Sequence, residues 1–433
     1  MTAAPVLIEP EAEAPTLPRL LAGLASAGPP LPLAGHRRQY PAPLLSARPR
    51  IDVLTAIERS GLRGRGGAGF PTGRKMRAVA ERHDRRPLVV VNGSEGEPAS
   101  GKDKLLLTRH PHLVLDGALL AAAAVGATEI VVCVDRHAAA ALRSLRAAVA
   151  ERARTERAAG VIRVAAIPHR YVAGEESALV HWLNGGEAKP TVTPPRPFEE
   201  GVGRRPTLVD NVETLAHVAQ IVRWGPEWFR EHGTEDEPGT ILLTISGAVD
   251  RPGVHEVSLG TPMTAVIKAA GGSLARTGAV LVGGYFGAWL STDQVRKARL
   301  LNEDLRALGA GLGCGALVVL PPDACGLKET ARILAWLAGE SAGQCGSCVH
   351  GLAAIAGGAA DLFRGDDAVE RLQRWANQVE GRGACALPNG AVRLLRSGLA
   401  VFEDEIERHR AGEGCTGGRA VLPIPDTRSQ PWQ

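Results

Sequence analysis

The sequence predicts an α/β protein: a mostly parallel sheet covered by helices, followed by a small β-grasp module and a C-terminal helical bundle. Three observations carry this. Strand-like and helix-like stretches alternate from residue 51 to about 235. After the polar linker "GTEDEPG" the pattern changes to two short strands and a helix. From about residue 326 each stretch carries one apolar stripe at helical spacing.

Residues 1–50 are rich in Pro, Ala and Leu without a sustained period and are expected to form an irregular lead-in. An α/β domain is expected over 51–235. Ile51, Leu54, Ile57 and Leu62 lie close to helical spacing, and "PLVVVNG" is a β-rich run ending in turn residues. A helix near 112–126, the strand "EIVVCV", a helix over about 137–158, the strand "VIRVAAI" and the helix "EESALVHWL" complete the alternation. The β-grasp module is expected over 238–322, with strands joined through Pro252-Gly253 and a helix starting after Thr261-Pro262. The bundle is expected over 326–411, from "GLKETARILAWLAGES", "DAVERLQRWANQV" and "AVRLLRSGLAVFEDEIERHR". Residues 412–433 read as a loose tail.

Length and composition set the class. A chain of 433 residues, 45% hydrophobic, can bury two or three cores. Its 50 basic and 46 acidic residues are spread along the whole length, so no polybasic patch argues for nucleic acid or lipid. No run of 18 apolar residues occurs; the most apolar stretch is broken by Asp116 and Glu129, which argues against membrane insertion. The opening "MTAAPVLIEPEAEAP" lacks the basic start and apolar stretch of a secretion signal, so a cytoplasmic location is expected. Seven cysteines, an odd number, then read as reduced thiols.

"GLRGRGGAGFPTGRK" contains Gly64, Gly66 and Gly69 in G-x-G-x-x-G spacing. The dinucleotide fingerprint needs a strand before the glycines, and here a helix precedes them, so the ordinary Rossmann reading fails its own context. A different phosphate site remains, because backbone amides without Cβ atoms approach an anion closely and Lys75 adds a charge just beyond. A flexible surface loop is the alternative. "VVVNGSEGEPASGKDK" places Asn92, Glu95 and Glu97 at the carboxyl end of a strand, where open α/β sheets bind ligands. "YVAGEESALVHWLNG" places Glu175 and Glu176 at a helix start after Gly174, as ligand contacts or as dipole caps. Only seven lysines occur in the chain, and Lys75 and Lys102 both fall in these turns, which favours a ligand role.

Together with "PTLVDNVETLAHV", "AGQCGSC" and "ACALP", these stretches resemble, in order from about residue 55 to 410, the flavin-binding, NADH-oxidising subunit of respiratory complex I, shared with NAD-linked hydrogenases and formate dehydrogenases. The resemblance implies a Rossmann-like FMN- and NADH-binding domain. It matches Gly64, Gly66, Gly67 and Lys75 to the loop around the FMN phosphate, and Asn92, Gly174 and Asn211 to positions lining the flavin. It matches Glu95, Glu97, Glu175 and Glu176 to acids around flavin and nicotinamide, and Phe70 to an aromatic that stacks on adenine.

This chain departs from the family at several positions. A second adenine-stacking Phe is Ala78, and a third is Arg196, which can stack on adenine or pair with a 2′-phosphate, so NADPH joins NADH as a candidate substrate. An acid before "EGEP" is Ser94, and the first of two asparagines is Asp210, whose charge beside a flavin would lower its potential. Of the family's four cluster cysteines, Cys345, Cys348 and Cys385 match the last three, and the first is Ala342. Three readings follow. A cluster forms with its fourth iron on water, His350 or another cysteine such as Cys314 or Cys325, or as a three-iron form; or zinc is held by the three cysteines and His350; or no metal binds.

The function the resemblance implies is hydride transfer from NAD(P)H to FMN, then single electrons through an iron–sulfur centre. No other electron-accepting motif is visible, so a partner redox protein in a hetero-oligomer, or a small acceptor, is expected. A stand-alone diaphorase and a non-enzymatic scaffold are the alternatives.

Overall fold

The computed structural model describes residues 17–24, 28–41, 50–82, 85–155, 162–413, 420–427 and 430–433. Strands β1 (Leu88–Gly93), β2 (Ile130–Asp135), β3 (Ile162–Ile167) and β4 (Thr207–Asn211) form an all-parallel sheet in the order β3-β2-β1-β4. β1 and β2 are nearly unbroken apolar runs because helices cover both faces of the sheet. The helix Pro111–Val125 is buried almost all round, which explains its lack of a polar face. It meets the helix Val212–Trp224 backbone to backbone: a Cβ on Gly117 would lie 1.8 Å from the carbonyl oxygen of Leu215.

The chain runs from β1 outward to β2 and β3, then returns to place β4 on the other side of β1. The order therefore reverses between β1 and β4. Asn92 and Asn211 pair there in register at the carboxyl ends of the two strands. Such switch points open a crevice for ligands. The helix Arg50–Ser60, not a strand, leads into the glycine-rich loop, as the sequence implies.

β5 (Thr240–Gly247), β6 (Gly253–Ser258), β7 (Ala279–Val282), β8 (Ala288–Ser291) and β9 (Ala316–Leu320) form a mixed sheet in the order β6-β5-β9-β7-β8. The helix Met263–Ala269 packs on it, with its own apolar core. The helices Gly326–Gly339, Ala353–Phe363, Val369–Val379, Leu387–Val401 and Glu403–Arg410 form the bundle around a third core.

Three expectations need correction. The lead-in holds a helix, Leu33–Gln39, and Leu20 and Tyr40 are buried. The Glu256 carboxylate on β6 accepts hydrogen bonds from the N–H groups of Arg19, Leu20 and Leu21 at 2.7, 2.7 and 3.1 Å, so this segment joins the two sheets. The tail is not loose over its described part. Leu422 and Thr427 are buried, Trp336 Nε1 donates to the Pro425 carbonyl at 3.0 Å, and Trp432 lies under the Arg170 guanidinium at 4.1 Å. The last predicted helix is two, broken at Phe402, whose ring turns inward against Trp289 and over Gly326.

Candidate functional site

A cavity of about 600 Å³ opens over the carboxyl ends of β1 and β4. The glycine-rich loop forms one wall. The Arg65 N–H donates to Thr214 Oγ1 at 2.8 Å, which docks the loop on the first turn of the helix Val212–Trp224. A Cβ on Gly66 would lie 3.2 Å from that of Asn211, and Gly67 takes φ +112°, so the loop needs both glycines to lie over the strand end. Asn211 Oδ1 caps the helix by accepting from the N–H groups of Glu213 and Thr214 at 2.9 and 3.4 Å.

Of the residues singled out from the sequence, Gly64, Gly66, Gly67, Phe70, Lys75, Asn92, Glu95, Glu97, Gly174, Glu175, Glu176, Asp210, Asn211 and Cys385 line the cavity. Arg196 does not. It is exposed on the loop before β4, and its own N–H donates to Glu199 at 2.9 Å. The expectation that Arg196 contacts nucleotide therefore has no support in this geometry. Phe70, 48% exposed, offers a flat apolar face at the mouth.

The carboxylates divide by environment. Glu95, at φ +39°, is committed to structure: it accepts from the N–H groups of Asp103 and Lys104 at 2.9 and 2.8 Å, holding the start of the helix Lys102–Arg109. Glu175 caps the helix Glu176–Leu183, accepting from the N–H groups of Ser177 and Ala178 at 2.9 and 3.1 Å. Glu176 pairs with Lys75 Nζ at 2.5 Å. Glu97 is buried and accepts from the N–H of Tyr285 at 2.9 Å and the Tyr171 hydroxyl at 3.0 Å. Burial nevertheless pushes its carboxyl up to about 7. Asp210 is buried with Oδ2 lacking any partner, and burial, opposed by Lys75, pushes it up to about 6.

Three further groups stand on the cavity wall: Arg65, which sequence reasoning missed, Lys102, which was expected to meet a ligand, and Cys314, which was a candidate iron ligand. Arg65 is 4% exposed, and its Nε and Nη2 have no partner. Lys102 is buried with Nζ 2.9 Å from Asp103 and 2.8 Å from Glu213. Cys314 lies beside Glu97: a Cβ on Gly284 would meet both side chains, at 2.8 and 2.7 Å. The signal for Arg65 was its place inside the glycine run, where a long cation is out of keeping with a merely flexible loop.

The wall suits FMN. Glycines leave room for a phosphate against backbone amides, and buried Arg65 nitrogens and an Asp210 oxygen await partners. Burial first, and the neighbouring Cys385 and Cys345 second, push the Cys348 thiol up to about 12. Among the described residues, no group of three or more His, Cys, Asp or Glu could hold a single metal ion, so the zinc reading has no support.

The same chain matches family models along most of its length: the Nuo51 FMN-binding domain over residues 57–220, an SLBB domain over 242–279, and the NADH-ubiquinone oxidoreductase-F iron-sulfur binding region over 328–409. An NADH-quinone oxidoreductase-F protein of Streptomyces coelicolor is 32% identical over 400 residues, covering 88% of this chain and 86% of the relative. The Mycobacterium tuberculosis counterpart is 34% identical over 394 residues, covering 85% and 86%. A solved NAD+-reducing [NiFe]-hydrogenase in its H2-reduced state superposes with a TM-score of 0.79 at 33% identity, over 87% of this chain and 66% of that one.

Proposed function

The chain belongs to the NADH-quinone oxidoreductase-F family, and from that premise we propose how its residues serve the family's reaction: hydride from NADH to FMN, then single electrons through an iron–sulfur centre to a partner redox protein. The observation that carries this reading is the cavity at the β1/β4 switch point, where a glycine loop, a buried unpartnered arginine and an unpartnered carboxylate converge.

FMN, when bound, accepts a hydride and releases electrons singly. The chain's own residues do the rest. The Arg65 guanidinium, Lys75 and the amides of Gly66 and Gly67 would hold the phosphate, and Asn92, Asp210 and Asn211 would meet the ring system. Phe70 supplies a stacking face at the mouth. Glu97, titrating near neutrality among Tyr171, Tyr285 and Cys314, is the group able to hold or release a proton inside the cavity. No described helix is long and apolar enough to cross a membrane, and a cytoplasmic position within a hetero-oligomer fits the reading. A stand-alone diaphorase with a small acceptor is the second reading, favoured by the missing thiol at Ala342.

Titrating flavin-free protein with FMN should quench flavin fluorescence, and anaerobic NADH should then bleach the bound flavin. Absence of both responses in folded protein would overturn the proposal.

Asp210 yields a sharper prediction. Above about pH 6 it is charged and opposes the negative charge a flavin gains on reduction. One charge acting over about 5–10 Å at an effective dielectric near 20 is worth about 2–3 kcal/mol, or about 40–70 mV for a two-electron couple. Asp210→Asn should raise the flavin potential by that order at pH 8 and hardly at all at pH 5. Because the folded pKa lies above the ordinary 3.8, the wild-type carboxyl weakens the fold as pH rises through about 6, so flavin-free Asp210→Asn should also be the more stable at pH 8. Potentiometry showing the same potential for both proteins at pH 8 would refute the assignment.

A further inference from the structure

The chain has three tyrosines, and two of them meet one carboxylate. Glu97 Oε2 accepts from the Tyr171 hydroxyl at 3.0 Å and from the Tyr285 N–H at 2.9 Å, while Oε1 accepts from the Ala99 N–H at 3.2 Å. Tyr171 opens the turn Tyr171–Gly174, and Tyr285 lies in the connection between β7 and β8. Both segments close tightly on the Glu97 turn. A Cβ on Gly96 would lie 2.7 Å from the Tyr171 carbonyl oxygen, and one on Gly284 would lie 2.7 Å from Glu97 Oε2. A small displacement of either segment therefore misaligns a donor to the carboxylate.

Both tyrosine segments are in turn held by a C-terminal strap, described over residues 420–427 and 430–433. The Tyr285 hydroxyl donates to the Pro423 carbonyl. The Tyr171 N–H donates to Glu340 Oε2 at 2.7 Å, and Glu340 Oε1 accepts from the Thr427 hydroxyl. Arg170, the residue before Tyr171, donates from Nη1 to the carbonyls of Thr427 and Gln430 at 3.3 and 3.2 Å. Trp336 joins the two routes: its ring stands edge-on to those of Tyr171 and Tyr285 at 5.0 and 5.6 Å, and its Nε1 donates to Pro425. Nearer the start of the strap, Glu329 accepts from the N–H groups of Val421 and Leu422 at 3.1 and 3.3 Å. Arg170, Glu329, Glu340 and Thr427 are all buried. A tail that only covered apolar surface would need none of these charges, whose burial costs free energy and whose hydrogen bonds fix direction. Burial keeps both tyrosine hydroxyls protonated, so each acts as a donor.

We propose that the C-terminal strap sets the position of Glu97 in the cavity, Thr427 and Glu340 acting through Tyr171 and Pro423 acting through Tyr285. Thr427, Glu340 and Pro423 do not line the cavity, so they are positioning residues. The proposal rests on the function above, in which Glu97 holds or releases a proton, and deepens it.

The test uses the full chain carrying FMN, with Thr427→Val, which keeps the side chain's shape and removes its donor, and Tyr285→Phe, which removes the hydroxyl facing Pro423. Anaerobic stopped-flow bleaching by NADH gives the limiting rate and the half-saturating concentration, and fluorescence titration gives the FMN affinity. Each variant should bind FMN within about twofold of wild type and bleach about 10-fold more slowly at saturating NADH, inside the roughly 100-fold that a misplacement of about 1 Å can cost. Thr427→Ser, which keeps the donor, should restore the rate. Amide hydrogen exchange on the flavin-free proteins reads the same contacts without catalysis: the Tyr171 N–H should lose protection in Thr427→Val, and the Tyr285 N–H in Tyr285→Phe. If the strap only covers the bundle, both variants should lose thermal stability yet bleach at the wild-type rate. That outcome overturns the proposal, as does Thr427→Ser bleaching as slowly as Thr427→Val. If Tyr285→Phe does not fold, Thr427→Val and Thr427→Ser still decide. Wild type that neither binds FMN nor is bleached defeats the underlying function instead, whereas unchanged exchange at both amides defeats the strap's hold on the tyrosines whatever the flavin does.

Discussion

Replacing Lys102 with methionine is expected to destabilise the protein by about 3–5 kcal/mol, the usual cost of stranding a buried charge. Lys102 is 1% exposed, and its ammonium lies 2.9 Å from Asp103, 2.8 Å from Glu213 and 3.5 Å from Asn211 Oδ1. Both carboxylates are buried, and Glu213 also accepts from the Leu242 N–H of β5 at 2.8 Å. The lysine thus neutralises the joint between the two sheets. Methionine keeps the stem's packing and removes only the charge, so the loss is electrostatic. Total stabilities are about 5–15 kcal/mol, which makes this loss a large fraction.

The pH dependence follows with a definite sign. In wild type, burial works against ionisation of Glu213, but Lys102 foremost brings its carboxyl down to about 2. A folded value below the ordinary 4.5 means stability that is present above pH 4.5 and lost as pH falls toward 2. Without Lys102 the same carboxyl is buried beside Asp103, its pKa rises above that of the unfolded chain, and the variant recovers as pH falls. Urea denaturation at pH 8 and pH 5 should therefore show the gap between the two proteins narrowing at pH 5. A loss below about 1 kcal/mol at pH 8 would mean that water, not Lys102, balances the two acids.

The legible parts of the fold were those where one period persists. β1 and β2 are apolar runs because helices bury both faces, and the helix Val369–Val379 shows a clean stripe because one face meets solvent. β4 was not picked out: it is five residues long, contains Asp210 and Asn211, and runs into a helix with no turn between. The helix Ala353–Phe363 was hidden by Gly357 and Gly358, which lower propensity; Gly358 is there because a Cβ would lie 2.8 Å from Leu372 Cδ2 on the neighbouring helix. The lead-in and tail lack periodicity because they bind as extended segments whose isolated Leu, Tyr and Trp side chains fill gaps made by other elements.

The candidate site was legible where a turn announces itself. Glycines and acids at strand ends mark the crevice, and the resemblance names the residues around it. What each carboxylate does was not legible. Glu95 and Glu175 are neighbours in sequence of Glu97 and Glu176, yet the first two spend their oxygens on helix N–H groups while Glu97 is left buried with a raised pKa and Glu176 faces Lys75. That division depends on backbone direction at each turn, which spacing does not report.

Arg65→Met is expected to weaken FMN binding by about 10–100-fold, the loss of charge-assisted hydrogen bonds worth about 1.5–3 kcal/mol. The guanidinium is buried with Nε and Nη2 unpartnered, and burial lowers its pKa against the attraction of Glu213 and Glu237. A buried cation with vacant donors costs free energy, which an anion seated in the glycine loop would offset. The two roles open to Arg65 then predict opposite responses. If it serves the ligand, flavin-free Arg65→Met should be as stable as wild type or more so, and only the FMN complex should weaken. If it serves the fold through Glu213 and Glu237, the variant should lose stability without FMN and bind FMN normally once folded. Thermal unfolding with and without FMN, together with fluorescence titration, separates the two, and riboflavin adds a control: lacking the phosphate, it should bind wild type and variant equally if the guanidinium meets the phosphate.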